Sequence, residues 1–135
     1  MPQNSKMSRS DRALSKWSFV IIDDTPDNLA LAKMALRFHG AEVYTAQDGA
    51  TGLELLRNTL PTAILLDIRM PRMDGWSVFK SLRENPATQH IPIIAITAYA
   101  MEGDREQILS AGFDGYISKP FDMFNFAGQI EDLVI

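Results

Sequence analysis

Four groups of polar residues in this chain could do chemistry together: the adjacent carboxylates Asp23 and Asp24, the carboxylate of Asp67, the hydroxyl of Thr97 and the amine of Lys119. Each stands where a strand ends, and the runs before Asp23, Asp67 and Thr97 have the length and branching of buried strands. In open parallel α/β sheets, ligands bind outside the carboxyl ends of the strands. Carboxylates that converge in one crevice repel one another, which costs stability unless a cation stands among them. An oxygen-only donor set, in a chain with no cysteine, suits a hard ion, and Mg2+ is the first choice. An ammonium and a hydroxyl beside that ion can bind two further oxygens of a tetrahedral anion. The set therefore reads as a site for a phosphoryl group held by Mg2+, Lys119 and Thr97. Asp67, central among them, has the position of a nucleophile that would form an aspartyl phosphate. Catalysis there would be positioning plus charge neutralisation. Asp67 by itself reads better as a loop cap, a common role; the other strand ends favour the site.

The elements that must position these residues alternate β-α five times. Trp17–Ile22 reads as a strand that stops at Asp23-Asp24. Thr25-Pro26-Asp27 supplies helix-start chemistry, a capping hydroxyl or carboxylate and a first-turn proline. Leu29, Ala32 and Leu36 recur at helical spacing up to the stop at Gly40. Ala41–Thr45 is a weaker strand, expected at a sheet edge. Asp48 opens a second helix through Leu60, closed by Pro61. The run from Ala63 to Leu66 delivers Asp67. Asp74 is placed to cap a third helix, with Val78, Phe79 and Leu82 inward and Asn85-Pro86 as its end. Ile91–Ile96 is a fourth strand ending on Thr97. Met101–Ser110 reads as a helix weakened by Gly103, and Asp114–Ile117 as a fifth strand. Met123, Phe126, Ala127, Ile130 and Leu133 line a last helix. Strands that read as continuous apolar runs are buried on both faces by helices, so the sheet is expected to be parallel with helices on both sides.

Composition sets the remaining bounds. The chain has 135 residues and is 46% hydrophobic, enough for one domain with a real core. Residues 1–16 carry a net charge of +3 and the remainder −7. We expect a mobile basic tail over 1–16 and a folded domain over 17–135. The acidic body argues against a nucleic-acid surface. No apolar run is long enough to span a membrane, and no export signal is visible, so a cytoplasmic location is expected. His39 and His90 fall at a helix end and in a loop, away from the strand-end site. Trp17 and Trp76 are expected to be packing residues, and Met70 and Met73 filler of loop and core.

The pattern resembles the receiver domain of two-component response regulators, including the single-domain chemotaxis regulators, over about residues 17–135. The residues that carry the resemblance are the acidic pair Asp23-Asp24, Asp67 with Pro71 and Gly75 downstream, Thr97-Ala98, and Lys119-Pro120. Thr97 follows Asp67 by 30 residues and Lys119 follows Thr97 by 22, which is similar to the spacing in that family. The resemblance implies a flavodoxin-like doubly wound fold with strand order 2-1-3-4-5. It implies that Asp67 is the phosphoacceptor, in a Mg2+-dependent reaction with a histidine kinase or a histidine phosphotransfer protein. Asp24 would bind the ion directly and Asp23 through water, and Asp67 and the backbone carbonyl of Arg69 would complete the ligands. Thr97 would be the switch hydroxyl and Tyr116 the switch aromatic. Ala98 would leave room for the reacting partner, Arg69 and Tyr99 would shade the phosphoryl group, and the Lys119–Pro120 bond would be cis.

The expected activity is that of a signalling domain which catalyses only its own phosphorylation and dephosphorylation. The signal is expected to leave by protein contact, to a downstream target or a homodimer, through the face of the fourth helix, fifth strand and fifth helix near Met101, Tyr116, Phe121 and Phe124. A phosphorelay shuttle and a receiver cut from a hybrid kinase are alternatives within the family. A rival outside it is a Mg2+-dependent phosphohydrolase with an aspartate nucleophile, which ordinarily carries a second aspartate two residues on; here that residue is Arg69. A receiver-like binding module without turnover is the third reading, and the intact polar set argues against it.

Overall fold

The computed structural model describes residues 16–70, 74–97, 102–119 and 125–134. The elements are β1 (Ser18–Ile22), α1 (Pro26–Phe38), β2 (Glu42–Ala46), α2 (Gly49–Asn58), β3 (Ala63–Asp67), α3 (Gly75–Glu84), β4 (Ile93–Thr97), α4 (Glu102–Ala111), β5 (Gly115–Ser118) and α5 (Phe126–Val134). All strand pairs are parallel, and the sheet order is β2-β1-β3-β4-β5. This is the doubly wound order that the resemblance to the receiver family implies.

Side-chain alternation along the strands splits the core into two layers. Phe19, Ile21, Leu65, Ile94, Ile96 and Ile117 pack against Leu29, Ala32 and Leu36 of α1 and Phe126 and Ile130 of α5. Val20, Ile22, Ile64, Leu66, Ile93 and Ala95 pack against Leu56 of α2, Val78 and Leu82 of α3 and Ile108 of α4. Every residue of β3 and β4 is buried, which is why those strands carry no polar alternation. β2 does alternate, and it lies at the edge. Both tryptophans pack as expected, Trp17 edge-on to Phe19 and Trp76 edge-on to Phe113.

The helix starts are written locally, with one exception. Asp48 accepts from the Thr51 N–H at 2.7 Å and Asp74 from the Ser77 N–H at 2.9 Å, each cap contributing about 1 kcal/mol. Thr25 occupies the corresponding position of α1, yet its side chain makes no cap bond. Its hydroxyl turns instead toward Asp24 Oδ1 at 3.5 Å, so the expected cap is corrected: Pro26 opens α1 without one. α2 ends at Asn58 rather than Leu60, with Thr59 extended and Leu60 64% exposed. Pro61 explains this, because the residue before a proline is pushed out of the helical region. β4 begins at Ile93 because Pro92 has no N–H to give a neighbouring strand. Gly40 and Gly112, at φ 90° and 114°, follow α1 and α4 in the left-handed region that favours glycine. No helix among the described residues is long and apolar enough to cross a membrane. The expectations for the basic tail up to Leu14 and Ser15, and for Pro71, Met73, Ala98, Tyr99, Met101, Pro120 and its peptide bond, Phe121, Met123 and Phe124, lie outside the described residues.

Candidate functional site

The strand register assembles the site. Ile21 pairs with Leu65 and Ile22 with Leu66, so one further step along β1 and β3 brings Asp23 beside Asp67. Asp67 is in register with Ile96, and Ile96 with Ile117. Lys119 follows Ile117 by two, on the same side of the sheet, and its stem is long enough to reach back over β4. Asp23, Asp67 and Thr97 are 0%, 2% and 1% exposed.

Each buried aspartate is fixed by the amide two residues on. Thr25 N–H donates to Asp23 Oδ1 at 2.9 Å, and Arg69 N–H donates to Asp67 Oδ1 at 3.0 Å. The remaining oxygens share one ammonium: Lys119 Nζ lies 2.8 Å from Asp23 Oδ2 and 3.2 Å from Asp67 Oδ2. The closer contact is an ion pair without hydrogen-bond alignment, so Asp23 Oδ2 keeps acceptor capacity inside the protein. Asp24, half-buried, completes a group in which one oxygen from each of Asp23, Asp24 and Asp67 lies within 4.8 Å of the others.

The charges do not balance. Three ionised carboxylates against one ammonium leave an excess of two negative charges, which one divalent cation would neutralise. Burial pushes the Asp67 carboxyl up to about 6 and the Asp23 charge adds to this, against the opposing pull of the Arg69 N–H and Lys119. Burial would lower the Lys119 amine, but its bonds to Asp23 and Asp67 outweigh that and hold it above its ordinary value. A donor set of carboxylate oxygens, short of positive charge, fits Mg2+.

The exit of β3 is held by α3. Gly75 N–H donates to the Ile68 carbonyl at 3.3 Å. A Cβ on Gly75 would collide with the Asp67 carbonyl oxygen and the Ile68 Cα. Only glycine lets the start of α3 close over the loop that aims Asp67.

The other expected residues stand as follows. Thr97 closes β4, and its carbonyl accepts from the Lys119 N–H at 2.9 Å, tying the last strand residue to the lysine. Tyr116 is half-buried in β5, in register with Ala95, and its ring centroid is 6.0 Å from the Arg105 guanidinium carbon. Arg69 is exposed beside Asp67. His39 sits at the end of α1 against the Phe38 ring, and His90 is exposed in the α3–β4 loop, both outside the carboxylate cluster. The sequence reading missed the amides of Thr25 and Arg69 as orienting donors. The available signal was an aspartate at a strand end followed by loop, the pattern in which a carboxylate takes the amide two residues on.

Fold and site together define a receiver. Residues 19–131 match the model of the response regulator receiver domain, and the chain belongs to that family. The polar-differentiation response regulator DivK of Brucella anthropi is 37% identical over 84% of this chain and 93% of its own length. The response regulator PleD of Caulobacter vibrioides is 42% identical over 84% of this chain, which spans 25% of the length of PleD. Among solved structures, the chemotaxis protein CheY4 of Vibrio cholerae has the same fold, with TM-score 0.81 at 24% identity over 87% of this chain and 98% of that one. The receiver domain of a sensor histidine kinase from Pseudomonas aeruginosa, solved with a magnesium ion coordinated in its active-site cleft, gives TM-score 0.78 at 31% identity over 87% of this chain and 97% of that one.

Proposed function

We propose that Asp67 accepts a phosphoryl group from a phosphohistidine on a histidine kinase or a histidine phosphotransfer protein, and that the adduct switches a protein-interaction surface of a receiver unit spanning 17–135. The carrying observation is the meeting of Asp23, Asp24 and Asp67 within 4.8 Å, with Lys119 bridging two of them. Asp67 Oδ2 attacks phosphorus, the phosphorus–nitrogen bond breaks, and its electron pair stays on the donor imidazole. The Arg69 N–H holds Oδ1 and so leaves Oδ2 as the reacting oxygen. Asp23, Asp24, Asp67 and the Arg69 carbonyl would hold Mg2+, which supplies charge neutralisation when bound. Lys119 moves its proton-rich head from the carboxylates to a phosphoryl oxygen. Thr97 donates its hydroxyl to another, and Tyr116, on the same face of the sheet one pleat away, follows Thr97.

The chain then acts as a cytoplasmic signalling component rather than as an enzyme on an outside substrate, and passes its signal through the α4–β5–α5 face to a protein partner or a second copy. The match to a receiver within a sensor histidine kinase supports a second placing, in which the same site works inside a longer protein. The test is phosphotransfer from a panel of phosphorylated histidine kinases and phosphotransfer proteins, with Mg2+ or with chelator. Transfer that needs Mg2+, gives a hydroxylamine-labile adduct and is lost in Asp67→Asn is expected. Label on serine or histidine, or full transfer in Asp67→Asn, would overturn the assignment.

A further inference from the structure

The far end of the sheet carries a cluster that the phosphoryl chemistry does not use. Arg83, at the end of α3, donates through Nη1 to the carbonyls of Ile91 at 2.8 Å and Gln89 at 3.1 Å. Through Nη2 it reaches Asp114 Oδ2 at 2.9 Å and the Gly112 carbonyl at 3.4 Å. Its guanidinium lies over Phe79 at 5.1 Å from the ring centroid, and Phe79 stacks on Phe113 at 4.0 Å. Asp114 bonds the first residue of β4 twice: Ile93 N–H donates to its carboxylate at 2.8 Å, and its own N–H donates to the Ile93 carbonyl at 2.9 Å. One arginine thus ties the end of α3, the start of β4 and the corner where α4 turns into β5. Charge-assisted bonds of this kind are the stronger ones.

α4 itself is lightly held. Across residues 105–111 only Ile108 is buried, and Leu109 is 41% exposed. Toward the phosphoryl edge, Arg105 meets the half-buried Tyr116 ring at 6.0 Å. Just past its C-terminal end, Gly112 turns at φ 114° and Phe113 is 4% exposed between Trp76 and Phe79. A rod fixed at one end, and seated over its described residues 105–111 on one buried side chain, can turn without breaking the fixed end.

We propose that the Arg83–Gly112–Phe113–Asp114 corner is a fixed pivot for α4. The switch then swings the part of the helix near Arg105, while the corner stays in place about 10 Å away along α4. This rests on the receiver reading for its trigger, though the anchoring itself does not. Arg83 is accordingly a positioning residue that confines the rearrangement to one end of the signalling face.

The test is amide exchange on the full chain, with and without Mg2+ and beryllofluoride, read over residues 105–110 and 112–115. In the wild type the ligand-induced change should fall on 105–110 and spare 112–115. Arg83→Met should still gain a phosphoryl group from acetyl phosphate, by mass. Its exchange at 112–115 should rise about tenfold, the loss expected for one bond to a charged group, and those residues should join the response. Asp114→Asn keeps an acceptor for Ile93 N–H and should move the same amides less, which covers a failure of Arg83→Met to fold. A wild-type response as large at 112–115 as at 105–110, or unchanged exchange in both variants, would overturn the pivot. If the wild type binds no beryllofluoride, the receiver reading fails separately. The pivot is then read from the ligand-free protein, where 112–115 must exchange more slowly than 105–110, and equal rates would overturn it.

Discussion

Lys119 stands closer to Asp23, at 2.8 Å, than to Asp67, at 3.2 Å. The resting lysine therefore serves as counter-ion to Asp23 as well as to Asp67. On the proposed reading, a metal that took over Asp23 would free Lys119 to turn toward an incoming phosphoryl oxygen.

Metal binding should accordingly be visible as stability. Mg2+ that binds only the folded chain raises the thermal midpoint by mass action. Millimolar Mg2+ should raise it in the wild type, and Asp24→Ala should abolish the rise. An unchanged wild-type midpoint would count against the site.

The acidity of Asp67 sets a pH dependence. Its carboxyl titrates at about 6 in the fold against 3.8 in an unstructured chain, because of burial and the neighbouring Asp23 charge. The native state thus binds this proton more readily than the unfolded chain. The stabilising contribution is fully present below pH 3.8 and is lost as pH rises through about 6. Without metal, Asp67→Asn should stabilise the protein at about pH 8, by on the order of 3 kcal/mol, and change little near pH 4. Equal gains at both pH values would refute this cause. Mg2+ competes with the same proton, so its affinity should weaken as the pH is taken below about 6.

Gly75→Ala tests the contact between α3 and the exit of β3. The added Cβ meets backbone atoms of Asp67 and Ile68, which cannot rotate away. Destabilisation of about 1–3 kcal/mol is expected from overpacking, with slower phosphorylation because the Asp67 loop shifts. Urea unfolding and acetyl phosphate kinetics would read the two effects, and wild-type values in both would show that the loop is not fixed there.

Thr97→Ala separates chemistry from switching. The variant retains Asp67 and Lys119, so it should still take a phosphoryl group. It should lose most of the response at Tyr116, because a ligand biases an equilibrium only through bonds made differently in the two states. NMR shifts of Tyr116 with and without beryllofluoride give the answer, and a full response in the variant would mean the coupling runs elsewhere.

The sheet was legible because buried parallel strands leave continuous apolar runs, and Asp48 and Asp74 announced their helices by capping them. The site was legible because Asp23, Asp67 and Thr97 end such runs and Lys119 follows the shorter strand Asp114–Ile117. What escaped the sequence was backbone chemistry. The amides of Thr25 and Arg69 orient the two aspartates, and any residue type but proline could supply them. Thr25 looked like a cap because its type is right, and its neighbour Asp24 competes for the hydroxyl. Arg83 looked like an ordinary last-turn cation, and its four acceptors lie up to 31 residues away in the chain, beyond any local pattern.

The pairing of Lys119 with Asp23 and Asp67 also bears on synthesis. A ribosome makes the chain from its N-terminus, so both aspartates emerge long before the lysine, which lies 52 residues past Asp67. Until β5 arrives, closing β1 against β3 would bring two carboxylates together with no ammonium between them. A nascent chain that has reached only Thr97 should therefore remain open, and closure of the sheet should come late and all at once. Force-sensing or protease-protection measurements on stalled chains should show protection appearing only after Lys119 has left the exit tunnel, and protection at the earlier length would mean the carboxylates can be brought together without the lysine.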